Sequence, residues 1–162
     1  MMKFFLTLIT ALFMQFGIAQ NTSTTLYFIR HAEKVDNSLN PDLSEVGLKR
    51  AENWSKIFSA IRFDEIYSTN YKRTIETATP TAEKNKISIK IYDHKTIDIA
   101  SFIKENSGKN VLLVGHSNTI PNLVNQIIGE KVYPDIEDTT FGNLYIVTIS
   151  NTSVTHQLLK LP

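Results

Sequence analysis

Two arginines and two histidines occupy places from which they could act on a small anion. Arg30-His31 follows directly on the apolar run Leu26 to Ile29, and Gly115-His116-Ser117 follows directly on Val111 to Val114. Arg73 comes shortly after a third short run, Phe63 to Ser68. A guanidinium stays charged and binds paired oxygens, while a neutral imidazole is a nucleophile available near neutral pH. Side chains of these types, gathered in one place, form a site for a phosphate-like dianion and for phosphoryl transfer. Glu33 and Lys34 follow His31 and add a carboxylate and a further cation to the same stretch.

Elements that deliver these residues to one place can be read from the pattern. A continuous apolar run reads as a strand covered on both faces, as in a parallel sheet, and such sheets hold ligands beyond the carboxyl ends of their strands. Val35 to Asp42 reads as a loop, and Ser44 caps a helix whose apolar positions Val46, Leu48, Ala51, Trp54, Ile57 and Phe58 recur at helical spacing to about Ser59. Tyr71 to Lys84 reads as a second helix, which Pro80 should end or bend. Ile87 to Tyr92 alternates as a strand near an edge, Asp98 opens a third helix to about Asn106, and Val111 to Val114 is the most apolar and most central strand. A fourth helix runs from about Ile120 to Ile128 and stops at Gly129, ahead of two strands, Asn143 to Ile149 and Val154 to Leu159. The alternation of strands and helices predicts a three-layer α/β/α sandwich with a mostly parallel central sheet. Arg73 then falls in the first turn of the second helix, where a cation opposes the helix dipole unless an anion lies between them.

The remaining composition narrows the setting. Met1-Met2-Lys3 followed by the apolar stretch Phe4 to Phe16 and by Gly17-Ile18-Ala19, which supplies small residues at both positions a signal peptidase reads, has the form of a secretory signal peptide, cut after Ala19. The stretch falls short of the roughly 20 residues needed to span a bilayer. Residues 20–162 then form one domain, exported to the periplasm or secreted, with no stable membrane insertion. The chain holds no cysteine, which removes disulfides, a thiol nucleophile and thiolate metal sites. A formal net charge of +1 with interspersed signs argues against a nucleic-acid surface, so any positive potential is local.

The segments Arg30-His31-Ala32-Glu33-Lys34, Leu43-Ser44-Glu45-Val46-Gly47, Tyr67-Ser68 with Arg73-Thr74-Ile75-Glu76-Thr77-Ala78, and Gly115-His116-Ser117-Asn118-Thr119 resemble the small single-domain branch of the histidine phosphatase superfamily, also called the phosphoglycerate mutase-like family. The likeness runs in that family's order over nearly all of residues 20–162. It implies a phosphohistidine mechanism with His31 as nucleophile, Arg30 and Arg73 as phosphate clamps and His116 as the second histidine of the pocket. Lys34 sits where some acid-phosphatase relatives carry an additional phosphate-binding arginine. The larger mutase-like relatives use as proton donor a glutamate that follows the third strand. Here Asp93 and Asp98 stand in that segment, Asp98 reading equally well as a helix N-cap, while Glu33 is the other candidate.

The scheme needs neither a metal nor an organic cofactor. A serine-hydrolase elbow at Gly115-His116-Ser117-Asn118-Thr119 fails because Thr119 replaces the second glycine, and a metal triad of His31, Glu33 and His116 fails because Arg30 and Arg73 would repel the cation. His94 and His156 read as surface residues. The expected partner is a phosphorylated small molecule or phosphoprotein. A phosphate-binding module without turnover and a phosphoglycerate mutase-like phosphotransferase are the alternatives to a phosphomonoester hydrolase.

Overall fold

The computed structural model describes residues 23–162; the expected signal peptide lies outside the described residues. Its elements are β1 (Thr24–Arg30), α1 (Glu45–Ile57) with a 3-10 turn at Phe58–Ala60, β2 (Glu65–Ser68), α2 (Lys72–Asn85), β3 (Ile89–Ile91), α3 (Ile99–Glu105), β4 (Asn110–Gly115), α4 (Thr119–Ile128), β5 (Asn143–Ile149) and β6 (Val154–Lys160). One six-stranded sheet has the order β3-β2-β4-β1-β5-β6. Strands β3, β2, β4 and β1 run parallel, β5 pairs antiparallel with β1, and β6 pairs antiparallel with β5.

Burial on both faces explains the apolar runs. Along β1 and β4, Leu26, Phe28, Val111 and Leu113 pack with Phe102 of α3 and Ile120, Leu123 and Val124 of α4. Ile29, Leu112 and Val114 point the other way, onto Trp54 of α1, Phe58, and Ala78 and Ala82 of α2. Alternate residues of a strand face opposite sides, so a strand inside a three-layer sandwich has no polar face to show. Burying each such side chain stabilises by about 1.5–3 kcal/mol. The three-layer α/β/α arrangement expected from the sequence is the one observed.

The caps follow local chemistry. Ser44 Oγ accepts from the Gly47 amide at the start of α1, Asp98 accepts from the Ser101 amide at the start of α3, and Gly129 ends α4 at φ 75°. Helix α2 runs through Pro80 to Asn85, as the reading of Tyr71 to Lys84 expected; Thr77, Ala78, Thr81 and Ala82 on either side of the proline are buried, and Ser55 Oγ donates to the Pro80 carbonyl at 3.1 Å. One expectation changes. Strand β3 is shorter than the run Ile87 to Tyr92, since the Ile87 amide is spent on the Ala82 carbonyl at the end of α2.

Candidate active site

The carboxyl ends of β1, β2, β3 and β4 share one edge of the sheet, and the register places Arg30 beside Gly115 and Ser68 beside Val114. The residues that leave these ends enclose a cavity of about 500 Å³ whose lining includes Arg30, His31, Arg73 and His116. The sheet thus brings together side chains that are 86 positions apart at most, from Arg30 to His116.

Arg30 is 4% exposed and anchored from behind. Its Nη1 donates to the carbonyls of Glu137, Asp138 and Thr140 at 2.9, 3.0 and 3.0 Å, and its guanidinium carbon lies 4.4 Å from the Phe141 ring centre. Nη2 faces Asp138 Oδ1 at 3.6 Å, while Nε is buried with no hydrogen-bond partner among the described residues. Nη2, with only the longer contact to Asp138, is the donor left for a bound oxyanion. Arg73 stands in the first turn of α2, stacked on Tyr71 at 4.5 Å, and reaches Nδ1 of His116 at 3.4 Å. Ser117, Asn118 and Thr119, at the start of α4, also line the cavity, where the positive end of the helix dipole favours an anion.

The two histidines are held in defined tautomers. His31 Nδ1 lies 2.7 Å from the Ala32 carbonyl, which can only accept, so Nδ1 carries the proton and Nε2 is left with a lone pair. Burial, followed by the nearby cations Arg30 and Arg73, pushes the His31 pKa down to about 4, so it is neutral at pH 7. The bond to Ala32 acts in the opposite sense but does not prevail. Arg73 can only donate to Nδ1 of His116, so His116 Nε2 carries the proton and donates to Thr69 Oγ1 at 3.0 Å. Thr69 Oγ1 in turn lies 3.0 Å from Thr74 Oγ1, which donates to a backbone carbonyl. Burial, then Arg73 and His31, bring the His116 pKa down to about 3. The rings of His31 and His116 are 5.5 Å apart, centre to centre.

Other residues read from the sequence take different places. Lys34 lines the cavity and is exposed. Glu33 does not line it: Arg50 grips both its carboxylate oxygens at 2.8–2.9 Å. Burial alone would raise the Glu33 pKa, but the bonds from Arg50 outweigh it and hold the carboxylate below its ordinary range. Asp98 is the N-cap of α3, and neither it nor Asp93 lines the cavity. Among the described residues no group of three or more His, Asp or Glu is placed to hold a metal ion. His94, expected at the surface, lines the cavity instead, with its ring 6.1 Å from that of His116. It follows β3 just as His31 follows β1, and that shared position at a strand end was the signal available in the sequence. Asp138 and Phe141 also enter the lining; they lie 107 or more positions after His31, with no local signal to place them.

The family model described as the histidine phosphatase superfamily (branch 1) matches residues 26–95, the stretch that carries Arg30, His31 and Arg73. Over this stretch, a little under half of its length, the chain is similar to the histidine phosphatase superfamily. No curated protein matches it in sequence. Solved structures in this superfamily's fold cover most of it: the protein histidine phosphatase SixA in complex with tungstate is similar at a TM-score of 0.69 and 12% identity, over 84% of this chain and 96% of that one. A mycobacterial glucosyl-3-phosphoglycerate phosphatase is similar at 0.68 and 12% identity, over 85% and 98%. A phosphoglycerate mutase from Bacillus anthracis str. Sterne is similar at 0.67 and 16% identity, over 86% and 93%. At these identities the likeness is one of fold, and the chemistry must be argued from this chain's own residues.

Proposed function

We propose that this chain hydrolyses phosphomonoesters through a phosphohistidine intermediate on His31, without a metal. The observation that carries the reading is the state of His31: neutral, buried, its Nδ1 tied to the Ala32 carbonyl and its Nε2 free beside Arg30, Arg73 and His116. Nε2 attacks the phosphorus, the guanidinium groups neutralise the equatorial oxygens, and water then attacks the phosphoryl-imidazole. The dianion converts His116 into a cation that donates to it, releasing Arg73 from Nδ1 to bind phosphate oxygen. The substrate is a phosphorylated small molecule or a phosphoprotein, which are the two classes that the names of the similar structures span.

An exposed mouth supports water as the final acceptor: Lys34 is exposed, Tyr71 is 37% exposed and Leu39, whose carbonyl accepts from Arg73, is 95% exposed. A mutase-like transfer needs a site closed against water. The opening segment, residues 1–19, supports export to the periplasm or beyond, tested by where the chain accumulates and at which residue it begins.

Hydrolysis of p-nitrophenyl phosphate, measured with and without a chelator and in His31→Ala, tests the reaction. Activity is expected to survive chelation and to fall by about a thousandfold or more in the variant. Tungstate binding without turnover of any phosphomonoester would instead establish a binding module, and transfer to an alcohol in preference to water would establish a phosphotransferase.

A further inference from the structure

The reaction above needs a proton for the departing oxygen, and the carboxylates near the nucleophile are committed elsewhere. Glu33 is held by Arg50, Asp93 accepts from the Lys95 amide and lies outside the phosphate cavity, Asp98 caps α3, and Asp138 is salt-bridged to Arg30, the guanidinium that must receive the phosphate. Of the chain's four histidines, His31 is tied to the Ala32 carbonyl, His116 to Thr69 and Arg73, and His156 to the Tyr133 hydroxyl at 2.7 Å. His94 alone makes no hydrogen bond among the described residues. Its side chain is 26% exposed, Asp93 Oδ1 lies 4.0 Å from its Nδ1, and its ring stands next to that of His116.

Position adds to this. Tyr71 and His94 line the phosphate cavity and also an adjoining cavity of about 660 Å³, whose wall includes Asn70, Ile91, Tyr92 and Lys95. A phosphoryl group bridging His31 and His116 has His94 as its neighbour at the boundary between the two spaces, where the ester oxygen of a substrate extending into the second cavity must lie.

We propose that His94 is the catalytic proton donor to the leaving group, and that the cavity beyond it receives the alcohol part of the substrate. The proposal rests on the phosphohistidine reading. As His31 Nε2 bonds to phosphorus, the phosphorus–ester oxygen bond breaks, its electron pair stays on that oxygen, and the imidazolium of His94 transfers its proton there, releasing a neutral alcohol. In the second step water attacks the phosphorus and passes a proton to the now neutral His94. The phosphorus–nitrogen bond breaks with its pair returning to His31, and inorganic phosphate leaves with both histidines restored. Histidine suits the task because it exchanges a proton near neutral pH.

The test compares a poor leaving group with a good one. kcat/KM reports the steps up to phosphorylation of His31, and it is measured for glycerol phosphate and for p-nitrophenyl phosphate in the protein and in His94→Gln, His94→Asn, Asp138→Asn and His31→Ala. An alkoxide must be protonated as it leaves and p-nitrophenolate need not be. Both His94 variants are therefore expected to lose roughly a hundredfold on the alkyl ester, at least about tenfold more than on the aryl ester. Equal losses on both esters, no loss on either, or the differential loss appearing in Asp138→Asn instead would each overturn the assignment. Retention of activity in His31→Ala would overturn the phosphohistidine reading itself, a separate result.

Discussion

At the scale of single residues, the site is built from groups whose hydrogen bonds are already assigned. His31 cannot present Nδ1 to a substrate because the Ala32 carbonyl holds it, so in the proposed reaction Nε2 is the attacking atom. His116 is neutral in the ligand-free protein, with its pKa lowered to about 3 first by burial and then by Arg73. A bound dianion reverses the balance by favouring the imidazolium, so binding must draw protons from solution. Tungstate, a dianion that does not titrate near neutrality, is expected to bind more weakly as the pH rises from 6 to 8, by up to about tenfold per pH unit, since the one proton taken up by His116 contributes at most one tenfold step. His116→Gln is expected to remove about one such step from the slope; an unchanged slope in titration calorimetry would show that His116 takes no proton.

At the scale of elements, the site depends on how closely the helices approach the strand ends. The N-terminus of α1 rests on the Glu33 carbonyl, which accepts from the Ser44 amide at 2.9 Å, and a Cβ at Gly47 would stand 2.1 Å from that same oxygen. Backbone cannot yield as the tip of a flexible side chain can, so Gly47→Ala must push α1 away from the segment following His31. The expected cost is about 1–3 kcal/mol, the usual range for overpacking, read as a lower midpoint in urea with an unchanged slope. Thr77 ties the same region to α2: its hydroxyl accepts from the Ala32 amide at 2.9 Å and donates to the Arg73 carbonyl at 2.6 Å. The segment following His31 and the turn carrying Arg73 are thereby linked through one side chain.

At the scale of the whole molecule, one sheet edge collects what the chain disperses. Expression in a Gram-negative host is expected to place the chain in the periplasm, beginning at Gln20, as read by fractionation and N-terminal sequencing; a cytoplasmic chain starting at Met1 would refute export. The segment 137–141, far along the chain, closes around Arg30 with its carbonyls and the Phe141 ring. It sets which guanidinium donors remain for a ligand.

The sandwich and the place of Arg30, His31 and His116 were legible in the sequence because both follow from local signals: apolar runs need cover on two faces, and a polar residue directly after such a run must stand at the sheet edge. Arg73 was legible from its place in the first turn of the helix that follows β2. Only the tertiary structure decided which titratable neighbours share the pocket. Glu33, two residues from His31, is drawn away by Arg50 from α1, while His94 is brought in because β3 runs parallel to β2 at the sheet's end. Side-chain partners 17 residues or more apart in sequence leave no periodic trace, so an ion pair such as Glu33–Arg50 and the three carbonyls that hold Arg30 are visible only once the chain has folded.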